Sequence, residues 1–125
     1  MIPAMRNANA SHVDFGFMRG MIETNPAFMP SNIDMVLERK GKFVFGEWKR
    51  EDEDMKQGQK ILLTQLARHH KVLLITGYVD TNPHITLIQK VNPNGMLTII
   101  GQGHEELISY LRGWYEEVER GIYDY

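Results

Sequence analysis

The sequence contains no cysteine, which excludes disulfides and thiolate-held metals and is compatible with a reducing compartment. It has no apolar run near the roughly 20 residues that cross a bilayer as a helix. Met1 to Arg6 lack the long apolar segment of a signal peptide, so a cytoplasmic protein with no membrane partner is expected. Charge of one sign is also scarce: the net formal charge is −2, which argues against a protein that grips a polyanion by bulk positive charge. No internal repeat, low-complexity tract, zinc-finger pattern or long basic helix is visible. What remains is 125 residues, enough for one domain with a core and too few for two.

The charges are unevenly spread. From Ser31 to Lys71 nine basic residues accompany seven acidic ones, whereas His104 to Tyr125 holds two basic and six acidic residues. The acidic C-terminal part suits a polyanion poorly, so any nucleic-acid surface is expected on the central half. Binding there would depend on local basic clusters and metal ions, and would weaken with salt.

Ser11, with Asp14 three residues on, signals a helix to about Glu23, although Gly16 and Gly20 weaken it. Arg19 and Glu23 could pair across one turn of it. Asn25-Pro26 and Met29-Pro30 lead, extended, into a strand over 33–37. Arg39 to Lys42 reads as a tight turn and 43–49 as a second strand. Arg50 to Asp54 is expected to be a solvated, mobile loop. Gln57 to His70 reads as a helix with Ile61, Leu62, Leu66 and Ala67 facing inward. Lys71 to Val79 is a nearly continuous apolar run, the mark of a buried central strand. Turns at Asp80-Thr81-Asn82-Pro83 and Asn92-Pro93-Asn94-Gly95 bracket a strand over 84–91 and precede another over 96–100. Gly101-Gln102-Gly103 opens a helix to about Arg120 with Leu107, Leu111, Trp114 and Val118 in one stripe. This order predicts an α/β fold, a mixed central β-sheet flanked by helices.

Centred on Lys40-Gly41, the first hairpin pairs residues whose numbers sum to 81, and Asp34 with Glu47 satisfies that sum. The two are expected to oppose each other with Cβ atoms roughly 5 Å apart. Opposed carboxylates repel. Glu47 also shares its strand face with Phe43 and Phe45, where burial makes an unpaired charge costly. A bridging divalent cation is the obvious compensation. Lys49, two residues beyond Glu47, falls on the same face. A slip of one residue would put the acids on opposite faces, so the register carries the site. An Asp and a Glu-x-Lys also occur on solvated strand edges; the apolar neighbours of Glu47 favour the site.

Two acids and an amine on one surface suit attack on phosphate. Mg²⁺ or Mn²⁺ on carboxylates supplies a nucleophilic water near neutral pH and offsets charge on the non-bridging oxygens. Such hard cations take oxygen ligands, which matches a site without histidine. Neighbouring acids favour the charged form of an amine, so Lys49 is expected to stabilise charge rather than act as general base.

The residues Asn32-Ile33-Asp34, Gly46-Glu47-Trp48-Lys49 and Gly58-Gln59 resemble the PD-(D/E)xK nuclease superfamily. The resemblance covers about residues 11–91, including the order of core elements, with 96–120 as an addition. The step from Asp34 to Glu47 and the Gln on the next helix look most like small Holliday-junction resolvases and virus-type replication-repair nuclease domains. The resemblance implies a restriction-endonuclease-like core and a metal-dependent DNA endonuclease. It implies Asp34 and Glu47 as metal ligands, with the Trp48 backbone carbonyl as a third. Lys49 would orient or activate the attacking water and stabilise the phosphorane; Gln59 would help place the nucleophile or scissile phosphate. A further acid from the first helix is implied, Glu23 or, in reserve, Asp14. Ile33, not the family's proline, directly precedes Asp34.

Lys56, Lys60, Arg50 and Ser31 are the expected contacts to a DNA backbone, although pairs such as Lys56 and Lys60 often just solubilise a helix face. His69-His70 is expected to stabilise a helix C-terminus; His12 reads as a surface residue, and His84 and Asp80 receive no role. The 107–118 stripe reads as core or, with Tyr110, Tyr115, Tyr123 and Tyr125 nearby, as a dimer contact. A homodimer is expected, because symmetric cleavage of a four-way junction needs two sites related by a two-fold axis. The leading expectation is an Mg²⁺-dependent endonuclease on branched or structured DNA, foremost a Holliday-junction resolvase. A flap or splayed-arm nuclease, a restriction-type nuclease and a non-catalytic nuclease-like DNA-binding or assembly subunit are the alternatives.

Overall fold

A two-residue turn sets the frame of this molecule. The computed structural model describes residues 14–78 and 84–122. In it Lys40 and Gly41 have φ of 53° and 78°, the paired positive values of a type I′ hairpin, whose twist matches that of the strands it joins. Gly41 adopts this without strain, and Glu38 Oε2 accepts a hydrogen bond from Gly41 N at 2.9 Å. The turn joins β1 (Met35–Arg39) to β2 (Lys42–Lys49). Their register runs from Met35↔Gly46 to Arg39↔Lys42, the one expected from the sequence. β1 begins at Met35 rather than at Ile33, so Asp34 stands one residue outside it.

From β2 the chain passes through α1 (Gln57–Ala67) into β3 (Lys71–Tyr78), then β4 (His84–Val91), β5 (Leu97–Gly101) and α2 (His104–Arg120). The sheet order is β1-β2-β3-β4-β5. β2 and β3 are parallel, because α1 carries the chain back between them, and the other neighbours are antiparallel. The fold is thus a mixed α/β sheet with two helices. No described helix is long and apolar enough to cross a membrane.

The helices pack on opposite faces. On one, Val44, Leu73, Ile75 and Ile88 meet Leu107, Trp114 and Val118 of α2. On the other, Val72, Leu74 and Val91 meet Leu63 and Ala67 of α1. β3 is buried on both sides from Lys71 to Gly77, the physical reason for its unbroken apolar run. The alternation of β2 turns Val44, Gly46 and Trp48 toward α2, and Phe43, Phe45, Glu47 and Lys49 toward α1.

Several expectations need correcting. The helix over 11–23 is, in the described part, a single 3-10 turn at Phe15–Met18 capped by Asp14; Gly20, with φ of 82°, leaves the right-handed helical region. Arg19 and Glu23 therefore share no helix face and form no ion pair. Ile61, expected inward, is 54 % exposed, and Leu63 is the buried anchor. Leu66 and Ala67 face inward as expected, and the inner face is completed by Leu63 rather than Ile61. α1 ends before His69-His70, and the His70 ring packs edge-on to Phe43 and Phe45 with centroids 5.2 and 5.5 Å away. Of the 107–118 stripe, Leu107, Trp114 and Val118 are core and Leu111 packs against them partly buried. Ser11, His12, the Asp80–Pro83 turn, Tyr123 and Tyr125 lie outside the described residues.

Candidate metal centre

The early end of β1 creates the site. In a hairpin with a two-residue turn, Arg39–Lys42, Leu37–Val44 and Met35–Gly46 are the hydrogen-bonded pairs, and Trp48 would be next on that edge. Since β1 has stopped, a side chain takes the place of its backbone: Asp34 Oδ2 accepts from Trp48 N at 2.8 Å. The Trp48 carbonyl leaves the strand on the same edge as its N–H, so it too points to the side where β1 is missing.

Glu47 lies opposite Asp34 in the continued register, under the start of α1, and only 8 % of it is exposed. Gln59 Nε2, in the first turn of α1, donates to Glu47 Oε2. The other oxygen, Oε1, is buried without a hydrogen-bond partner. Burial and the negative charge of Asp34 push Glu47 up to about 7, while the Gln59 donor and the Asp34 backbone pull it down. Leu63 and Ala67 anchor α1 on the sheet and so place Gln59 at this point.

A buried carboxylate oxygen without a donor, beside a second carboxylate, requires either a proton or a cation. The oxygens available nearby are the Asp34 carboxylate and Glu47 Oε1, with the Trp48 carbonyl on the sheet edge where Asp34 binds the Trp48 N–H. All are hard oxygens with no nitrogen or sulfur among them, which fits Mg²⁺ or Mn²⁺. No group of three His, Asp or Glu side chains that could hold a metal is found among the described residues. Glu23 sits in an exposed turn, and Asp14 Oδ1 accepts from Gly16 N at 2.8 Å.

Lys49 follows Glu47 on the same face, but its Nζ turns to backbone carbonyls of the next loop, 3.2 Å from Glu53 O and 3.5 Å from Arg50 O. That loop is exposed, as expected, and turns on two internal hydrogen bonds: Arg50 N donates to Glu53 Oε1 at 2.9 Å and Glu53 N to Arg50 O at 3.1 Å. It forms one wall of an open cleft of about 420 Å³ bounded by Asp34, Lys49, Arg50, Glu53, Gly77 and Tyr78. Glu53, Gly77 and Tyr78 were not singled out in the sequence. The signal for the last two lies in the parallel register Lys49↔Thr76, which carries the end of β3 to the same end of the sheet as Lys49. Gly77 has φ of 145° at a bulge, and a Cβ there would run into the His84 carbonyl.

The expected backbone contacts are partly gathered around the cleft. Arg50 lines it. Lys56 is the N-cap residue of α1 and makes no capping bond; Lys60 lies one turn on, and both are exposed. Ser31 is exposed in the segment leading to Asp34. No family model, curated protein or solved structure matches this chain.

Proposed function

We propose that the chain is a metal-dependent endonuclease of the PD-(D/E)xK type, with a restriction-endonuclease-like core, acting on branched or otherwise structured DNA and foremost on four-way junctions. The observation that carries this reading is the buried Oε1 of Glu47, without a hydrogen-bond partner, close enough to feel the charge of Asp34, which itself lines a cleft with Lys49 and Arg50. Asp34, Glu47 and the Trp48 carbonyl would hold Mg²⁺ or Mn²⁺. A cation bound there supplies an acidified water and charge on the phosphoryl oxygens. Gln59 fixes Glu47 by its hydrogen bond, leaving Oε1 as the free ligand. Lys49 and Arg50 set positive charge in the cleft, where the phosphorane develops negative charge. Lys56 and Lys60 continue that charge along α1 for the flanking backbone, which makes binding salt-dependent.

A second reading, a non-catalytic DNA-binding or assembly subunit, is favoured by one observation: the Lys49 amine is spent on loop carbonyls rather than on the acids. One assay separates the two. A labelled synthetic four-way junction, a linear duplex and a splayed arm are incubated with Mg²⁺ and with EDTA. Paired symmetric nicks in the junction that need Mg²⁺, and that Glu47→Gln and Asp34→Asn abolish while binding survives, are expected. Binding without any metal-dependent cut would establish the second reading. Defined cuts in the linear duplex would indicate a restriction-type enzyme.

A further inference from the structure

Of thirteen large apolar side chains that stand in solvent among the described residues, seven lie in two stretches of the chain. The first is the segment before β1, where Phe17 is 83 % exposed and Met21, Ile22 and Phe28 are 42–55 % exposed. This segment is folded on itself rather than extended: Gly20 N donates to Pro26 O at 2.9 Å, and Asn25 N to Ile22 O and Phe28 N to Asn25 O at 3.0 Å each. It is an arm that holds apolar groups outward, and its 3-10 turn buries no residue of its own.

The second patch is β5 and the turn before it. Ile99 is 68 % exposed, with Leu97 and Met96 at 43 and 65 %. β5 is an outer strand, and Leu97 to Gly101 contain neither charge nor proline, the usual guards of a sheet edge. The opposite edge is guarded. There Glu119 pairs with Arg39 at 2.8 Å and Lys40 at 3.2 Å, and the Arg39 guanidinium lies 5.0 Å from the Tyr115 ring centre.

We propose that the arm of residues 15–28 docks on β5 of a second copy, and that two chains exchange arms about a two-fold axis. Reciprocal exchange covers both patches on both copies and leaves none to propagate a filament, as a closed interface must. The arm joins the sheet at β1, four strands from β5, about 19 Å away at the usual strand spacing. α1 and α2 pack on the two faces of the central strands, so a chain's own arm would have to cross one of them to reach β5. The seven side chains expose roughly 700 Å² together, taking about 150–250 Å² for each if free. Counted on two copies this gives about 1,400 Å², within the span of stable specific interfaces. β5 has no charge to oppose Asp14, Arg19 and Glu23 of the arm. The inference does not depend on the chemistry at Asp34 and Glu47.

The absence of native cysteine permits a clean test on the full-length chain. Phe17→Cys and Ile99→Cys are made separately and oxidised alone and after mixing, and the parent's mass in solution is measured by light scattering. Expected are a parent of twice 14.5 kDa and a disulfide dimer formed many-fold faster in the mixture than in either variant alone. Phe17→Asp and Ile99→Asp should each give monomers with the parent's far-ultraviolet circular dichroism. A monomeric parent would overturn the proposal. So would Phe17→Cys linking to itself as fast as to Ile99→Cys, or a Phe17→Cys/Ile99→Cys chain closing on itself rather than linking two copies.

Discussion

Glu47 is the residue at which stability and function oppose each other. Its carboxyl is buried beside Asp34 and held at about 7 instead of 4.5. Without metal, the unfolded chain releases this proton as pH rises past about 4.5 while the folded chain keeps it. The stability contribution is therefore whole below that pH, falls as pH climbs to about 7, and is flat above. The loss is on the order of 3 kcal/mol. Glu47→Gln keeps the shape and the Gln59 bond but removes the ionisation. In denaturant titrations with EDTA it should match the parent near pH 4.5 and exceed it by about 3 kcal/mol at pH 8. An identical pH slope in both would place the proton elsewhere. Gln59 acts in the opposite sense, since its donor favours the ionised form. Gln59→Leu should raise the pH at which metal binds and weaken Mn²⁺ affinity by about tenfold, as loss of an outer-sphere partner does; calorimetric Mn²⁺ titrations at pH 7 and 8 would measure both.

At the scale of elements, the site depends on how α1 and the hairpin sit on the sheet. Leu63 is 1 % exposed, and Leu63→Ala should cost about 2–5 kcal/mol while loosening the Gln59–Glu47 contact. Equilibrium unfolding should record that loss, and a cost below 1 kcal/mol would mean that α1 is not held from this side. The hairpin was legible in the sequence because Lys40-Gly41 between apolar strands fixes the register, and with it the opposition of Asp34 and Glu47. The buried strand β3 and the α2 stripe were legible for the same reason, since their patterns have single readings. The face of α1 was not: Ile61, Leu62, Leu63, Leu66 and Ala67 fit more than one helical stripe, and only the sheet beneath decides. The direction of Lys49 was equally hidden, because strand period fixes the face of a side chain but not where a long flexible one ends. Nor could the sequence show that β1 stops at Met35, although that stop lets Asp34 replace a backbone partner of Trp48.

For the whole molecule, metal binding and folding are one linked equilibrium. A cation that binds the folded chain alone adds RT ln(1 + [L]/Kd), about 1.4 kcal/mol at a concentration tenfold above Kd. For a chain of this length that raises Tm by roughly 3–8 °C. The size of the effect depends on pH through Glu47. At pH 8 its carboxylate is ionised and pays the burial cost alone, so Mg²⁺ or Mn²⁺ should raise Tm; at pH 5 the proton already occupies the site and the same cation should do little. Thermal melts at both pH values, with EDTA, Mg²⁺ and Mn²⁺, should show the shift in the parent and none in Glu47→Gln or Asp34→Asn. A shift that persists in both variants would put the cation on the acidic surface of α2 or the 50–54 loop. A shift lost only in the variants ties the metal, the buried carboxylate and the stability of the sheet to one point between β1 and β2.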